Sequence, residues 1–324
     1  MRGSFSEGAV NDFALETPVV MIIFNRPETT QKVFEQISRV RPRSLYVIAD
    51  GPRVGFPGDT AKCAEAQAIA QELRWDCQMR VDISEVNLGL KQRFVSGLNW
   101  VFSQEEQAII LEDDCVPNPT FFRFCQELLD RYRDDERLMM IAGTNYQFGN
   151  NPVAHSYYFS IYTHIWGWAT WARAWNCFDG DMCLWPNVRD GGLLKALLPD
   201  RRALRFWSKR FQMTYEGKID TWDYPWTLSC WLENGLTAVP AVNLVTNQGF
   251  GRLGTHTLGS RSRLANMPAG KMSFPLQHPP YVVPNWRADA YTQHTVFKEH
   301  LLAPLKKAVK QRLQAMGIDF KLRQ

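Results

Sequence analysis

Residues 109–114 read Ile-Ile-Leu-Glu-Asp-Asp, an apolar run of strand length that ends in three consecutive carboxylates. With Ala108 in front of it, the run has no polar face, which implies a strand buried on both sides, in a sheet covered by helices. The ends of such strands are where an open α/β sheet binds its ligands, so position and charge point to the same place. Three adjacent carboxylates repel one another. Either they form a solvated acidic turn, or a hard divalent cation with a preference for oxygen, Mg²⁺ or Mn²⁺, holds them ionised together.

The same rhythm of apolar run and amphipathic stretch extends upstream and downstream of this point. Residues 19–24 predict a strand that stops at Asn25-Arg26-Pro27, and Pro27 suits the first turn of a helix with Val33, Phe34 and Ile37 on one face. A second strand over 45–49 ends at the turn signal Asp50-Gly51-Pro52, and an Ala-rich helix follows over about 60–74. Cys77, Met79, Val81 and Ile83 alternate with Gln78, Arg80 and Asp82, the period of a strand with one buried face. Helices are expected around Phe94–Phe102 and Phe121–Leu129, with a strand over 138–142. Beyond about residue 150 the rhythm is lost; helical pattern returns around 192–215 and 225–234, and a Gly-rich loop spans 248–259. The expected organisation is α/β with a mixed sheet. It has an α/β half over 17–150, an aromatic-rich half of the same domain over 151–295, and a basic amphipathic C-terminal helix over 296–324.

Composition removes several classes. At 324 residues, 45% hydrophobic and 22% charged, the chain has the balance of a globular protein rather than a disordered or fibrous one. A formal charge of +4 is too small and diffuse to indicate a nucleic-acid partner. Seven cysteines, with no Cys-x-x-Cys pair, point to free thiols in a reducing compartment rather than to disulfides or a zinc site. No run approaches the length of a secretory signal core or a membrane span, so the expectation is cytoplasmic. The basic tail either docks on the domain or touches anionic lipid at the inner face of a membrane. Of the twelve tryptophans, nine fall between Trp166 and Trp231. That segment therefore concentrates flat aromatic surfaces, of which most are expected to pack in the core.

Five blocks then resemble a family when taken in order: PVVMIIFNRP (18–27), Ala49-Asp50-Gly51, NLGLK (87–91), IILEDDCVPNPTFF (109–122), and a later group containing Trp166-Gly167-Trp168, Thr221–Trp226 and NLVTNQGFGRLGTHT (243–257). Over about residues 18–258 they are similar to GT-A glycosyltransferases. More narrowly, they resemble a bacterial family-2-like group that is itself similar to the animal N-acetylglucosaminyltransferase initiating complex N-glycans. This resemblance implies a GT-A, Rossmann-like fold in which residues 17–150 are the nucleotide-sugar-binding half and residues 151–295 the acceptor-binding half. It also implies transfer of a sugar from a nucleoside diphosphate sugar, a UDP-sugar first of all, to a hydroxyl of a carbohydrate or glycolipid acceptor in surface polysaccharide or glycan synthesis, with Mn²⁺ or Mg²⁺ and inversion at the sugar.

Carried over by position, the resemblance makes Asp114 a metal ligand, joined by His256. Glu112 and Asp113 would face the donor sugar and ribose, Asp50 the nucleotide base, and Arg26 the diphosphate or base, while Lys91 and Arg93 would lie in the loop that approaches the nucleotide. Trp168 would contact the donor. Asp223 would be the base that takes the acceptor proton, with Asp220 as its competitor. Each has an ordinary reading beside it: a turn aspartate at Asp50, solvated charges at Arg26 and Lys91, a helix cap at Asp223, a structural histidine at His256. Arg252 stands where the bacterial relatives carry an acid, which leaves the donor open. Two rival functions share these features, a carbohydrate-binding protein without turnover and a nucleotidyltransferase that releases pyrophosphate.

Overall fold

The structure is a computed structural model and describes residues 13–150, 153–250 and 263–297. His256, Arg252 and nearly all of the basic tail lie outside the described residues. The first half runs β1 (Val19–Ile23), α1 (Pro27–Val40), β2 (Ser44–Ala49), α2 (Asp59–Ala70), β3 (Gln78–Ile83), α3 (Leu90–Phe102) and β4 (Gln107–Glu112). Then come the short β5 (Cys115–Pro117), α4 (Thr120–Arg131) and β6 (Leu138–Ala142). The second half has β7 (Tyr157–Ser160), β8 (Trp168–Trp171), the short helices α5 (Ala172–Trp175), α6 (Trp185–Asp190) and α7 (Leu193–Leu197), and the longer α8 (Arg201–Tyr215). It closes with α9 (Asp223–Leu232), β9 (Leu236–Pro240), β10 (Val245–Asn247) and α10 (Trp286–Thr295).

Eight strands form one sheet in the order β3-β2-β1-β4-β8-β6-β9-β7, while β5 and β10 pair separately. β3, β2, β1 and β4 are parallel, and β8 is inserted antiparallel against both β4 and β6. The fold is therefore the expected α/β class with a mixed sheet. Its 3-2-1-4 half has the Rossmann-like order, whose switch point lies between β1 and β4. Val20, Ile22, Ile110 and Tyr46 face one hydrophobic cluster, and Val19, Met21, Leu111 and Val47 face the other, as befits strands buried on both sides.

The helix of residues 27–40 forms as its sequence predicts. Pro27 opens it where a missing N–H is harmless, and Val33, Phe34 and Ile37 are buried. Two expectations change. The helical pattern at 192–215 is broken into α7 and α8 because Asp200 caps α8, accepting from the amides of Arg202 (2.6 Å) and Ala203 (3.1 Å). β3 has no fully buried face: it is the end strand, and Val81 and Ile83 are 37% and 41% exposed.

Candidate functional site

β4 ends in Glu112, and polar side chains follow β1 and β2 at the same edge of the sheet. Ile22 of β1 is level with Glu112 of β4, so Phe24–Arg26, Asp113 and Asp114 emerge side by side just past the sheet edge, with Asp50 beyond β2. They line a cleft of about 610 Å³, a size that suits a nucleotide-like ligand. Tyr146 and, from the second half, Trp166, Asp220, Thr221, Trp222, Asp223 and Tyr224 line the same cleft.

The acids are compensated from within the chain. Arg26 Nη1 lies 2.8 Å from Asp113 Oδ1 and 2.7 Å from Asp114 Oδ2, while Asp113 Oδ2 accepts the Phe24 amide at 3.0 Å. Burial opposes the charge on Arg26, but the two aspartates outweigh it and hold the guanidinium above the ordinary arginine range. Burial also pushes Asp113 up to about 6, helped by Asp114 and resisted by Arg26. Glu112 is pushed well above the usual carboxylate range, first by burial and then by Asp114 and Asp113. Asp223 adds to the same push, so its charge is felt across the cleft. Among the described residues no group of three His, Cys, Asp or Glu side chains is arranged to hold a metal ion. One detail does fit a ligand held largely by substrate: a Cβ at Gly249 would lie 2.0 Å from Asp114 Oδ2, so only glycine lets the β10 strand-end loop close over this carboxylate.

Asp50 is buried and its oxygens are used by the chain. Oδ1 accepts from the Gly51 and Leu88 amides (2.9 and 2.8 Å), and Oδ2 from Asn87 Nδ2 and the Gly89 amide (2.9 and 3.0 Å). It braces the loop before α3 and lines the cleft. Lys91 is not among the residues lining the cleft; its Cε lies near Gly180 instead. The arginine next to it in the cleft, Arg93, is buried and tied to Asp82 Oδ2 (2.8 Å) and the Ala49 carbonyl (3.0 Å).

The tryptophans separate by place. Trp168, expected at the donor, is 1% exposed and does not line the cleft. It stacks behind Trp222 (5.5 Å, 16°), which in turn stacks on Phe94 (3.8 Å, 7°). Trp171 and Trp226 are also core. Trp166, Trp207 and Trp222 are the tryptophans that line the cleft, Trp166 standing edge-on to Tyr146 and Phe250. The stack of Trp168, Trp222 and Phe94 fixes the segment that carries Asp223. That aspartate opens α9; its Oδ1 accepts the Thr221 hydroxyl and the Tyr224 amide. Asp220 lies exposed at the rim.

Sequence reasoning missed Tyr146 and Arg53. Tyr146 stacks on buried His164 (4.4 Å, 16°), whose Nδ1–H donates to the Thr144 carbonyl at 3.1 Å and whose pKa burial lowers to about 4. Arg53 pairs with Asp59 at 2.6 Å and covers the Phe24 ring. Neither belongs to a motif, and their partners are set only by the fold.

No protein-family profile matches the chain, and no curated protein does. Similar solved structures include a mannosyltransferase from Pyrobaculum calidifontis in complex with GDP-Man and Mn²⁺, at 14% identity and TM-score 0.34, over 49% of this chain and 45% of that one. Mouse xyloside xylosyltransferase 1, in its apo form, matches at 11% identity and TM-score 0.37, over 69% of this chain and 84% of that one. A cytidylyltransferase from Leptospira borgpetersenii matches at 11% identity and TM-score 0.31, over 55% and 68%. What each binds is a property of that protein. No helix among the described residues is long and apolar enough to cross a membrane.

Proposed function

We propose that this cleft transfers a sugar from a nucleoside diphosphate sugar, a UDP-sugar in the first instance, to a hydroxyl of a carbohydrate or glycolipid, with inversion. One observation carries the reading. At the switch point of a Rossmann-like half, one cleft is lined by two clustered acids and by a separate carboxylate, Asp223, oriented by a hydroxyl and a backbone amide. The narrower likeness to the N-acetylglucosaminyltransferase group rests on the sequence blocks.

In this reading Asp223 accepts the proton of the acceptor hydroxyl as that oxygen bonds to the anomeric carbon. The bond from that carbon to the diphosphate breaks on the opposite face, and its electron pair leaves with the nucleotide. Asp223 is favoured over Asp220 because it is partly buried and held by two donors. Asp114 with Asp113 would hold Mn²⁺ or Mg²⁺ together with the diphosphate oxygens, a ligand set those cations accept, and the metal would supply charge neutralisation for the leaving group. Arg26 keeps both aspartates in place, Asp50 presents the loop of residues 87–89, and Trp166 with Tyr146 gives the sugar an apolar wall. His256 as a further ligand and the basic tail as a lipid contact stay part of the proposal.

The test is thermal denaturation against nucleotides and nucleotide sugars with and without Mn²⁺. A ligand at about a hundred times its dissociation constant stabilises by about 2.7 kcal/mol. The expected result is a rise with one nucleoside diphosphate sugar plus Mn²⁺ that Asp114→Ala removes. Absence of any rise overturns the donor site. Release of pyrophosphate from a nucleoside triphosphate and a sugar phosphate would make the protein a nucleotidyltransferase.

A further inference from the structure

The outer edge of β3 is where the sheet stops, and among the described residues no strand pairs with it. The amide of Gln78 donates to the Arg43 carbonyl and that of Ser84 to the Ala49 carbonyl, both on the β2 side. Since backbone direction alternates along a strand, residues 78, 80, 82 and 84 turn their amides inward, and Met79, Val81 and Ile83 turn theirs, with their carbonyls, outward. The edge is apolar as well: Val81 and Ile83 are more than one-third exposed, and Val86 just past the strand is 63% exposed. Proteins usually cover such an edge or charge it against pairing.

We propose that β3 is a self-association edge, pairing antiparallel with β3 of a second copy of this chain about a twofold axis at Val81. The register follows from charge. Outward residues must face outward residues, so the axis falls on residue 80, 81 or 82. An axis at 80 sets Arg80 against its own copy, and an axis at 82 does the same for Asp82; both juxtapose like charges. The axis at Val81 places Arg80 of each copy opposite Asp82 of the other, twice, and Met79 opposite Ile83. Arg80 and Asp82 lie on the face covered by α3, where Arg80 Nη1 meets Tyr46 Oη (2.7 Å) and Gln104 Oε1 (2.5 Å), and Asp82 Oδ2 meets Arg93 Nη1 (2.8 Å). A guanidinium has five donors, so Arg80 keeps donors for a second carboxylate. The occupant is a second copy because the edge is complementary to itself in charge and in hydrogen-bond direction. The joint leads directly into residues 84–89, whose Asn87 and Gly89 form part of the cleft wall.

Sedimentation velocity of the full chain from about 1 to 200 μM tests this. The expected result is a concentration-dependent dimer. Val81→Pro deletes only an outward amide, which an edge strand tolerates, and should weaken association by about tenfold or more with the melting temperature nearly unchanged. Arg80→Glu and Asp82→Lys should each be monomeric alone, while an equimolar mixture, which restores opposite charges at both contacts, should dimerise. If Asp82→Lys does not fold once its contact with Arg93 is lost, Val81→Pro decides. A wild-type monomer across the range, a dimer indifferent to Val81→Pro, or two folded charge variants that stay monomeric when mixed each overturns the proposal.

Discussion

The two halves of the molecule bury acids in opposite ways. In the parallel half Asp113 sits at a strand end with a cation beside it, the Arg26 guanidinium, and both face the cleft. In the mixed half Asp289 lies on the buried face of α10, 4% exposed, held by neutral donors at the end of β7: the Ser160 hydroxyl at 2.5 Å and the Ile161 amide at 3.2 Å. Burial raises both carboxyls, Asp113 to about 6 and Asp289 to about 7. The difference lies in what can change places with the partner. A charged partner at the mouth of a cleft can yield to another cation, whereas hydroxyl and amide donors inside a packed clasp fix α10 against β7. The first arrangement suits binding and the second suits holding two elements together.

Three substitutions bear on that contrast, taken here from the largest effect to the smallest. Asp223→Asn removes the carboxylate that neither arrangement contains. Turnover should fall by about 10²–10⁴-fold while donor-induced stabilisation persists; an unchanged rate measured with a saturating donor would reduce Asp223 to the first residue of a helix. Arg26→Ala should cost about 3–5 kcal/mol in chemical denaturation at pH 7.5, because it strips the counter-charge from two enclosed acids. A loss below about 1 kcal/mol would mean that the guanidinium is not what balances them. Asp289→Asn should act through pH. A carboxyl whose folded pKa is raised contributes stability that is fully present below its unfolded value and is lost as pH rises through the folded one. The wild type should therefore gain on the variant as pH falls from about 7 to about 4, by about 4 kcal/mol at most. Parallel stability curves for the two proteins would show that Asp289 is not protonated on the buried face of α10.

The parallel half was legible because its strands are apolar throughout and its helices amphipathic. Pro27, Asp50-Gly51 and the triplet at 112–114 therefore fell where strand ends were expected. The acidic triplet was legible as a strand-end cluster for the same reason, and it lines the cleft. Its counter-charge was not: Arg26 is 87 residues from Asp113, and nothing local says that the two meet. Trp166 and Trp168 differ by two positions and one turn. Gly167, at φ +63°, reverses the chain between a cleft residue and a core residue, so no count of aromatics could tell them apart. β3 looked one-sided because alternation reports a face but not its cover, and an end strand lacks one neighbour.

The Arg26 bridge also sets the terms on which a cation can enter. A guanidinium tethered to the same chain cannot diffuse away, so it competes with any free ion at a high effective concentration. A metal arriving alone meets an occupied pair of carboxylates, whereas one arriving with a polyanion brings ligands that give the displaced guanidinium a new partner. The apo fold can then do without metal, and chelators should leave its melting temperature where it is.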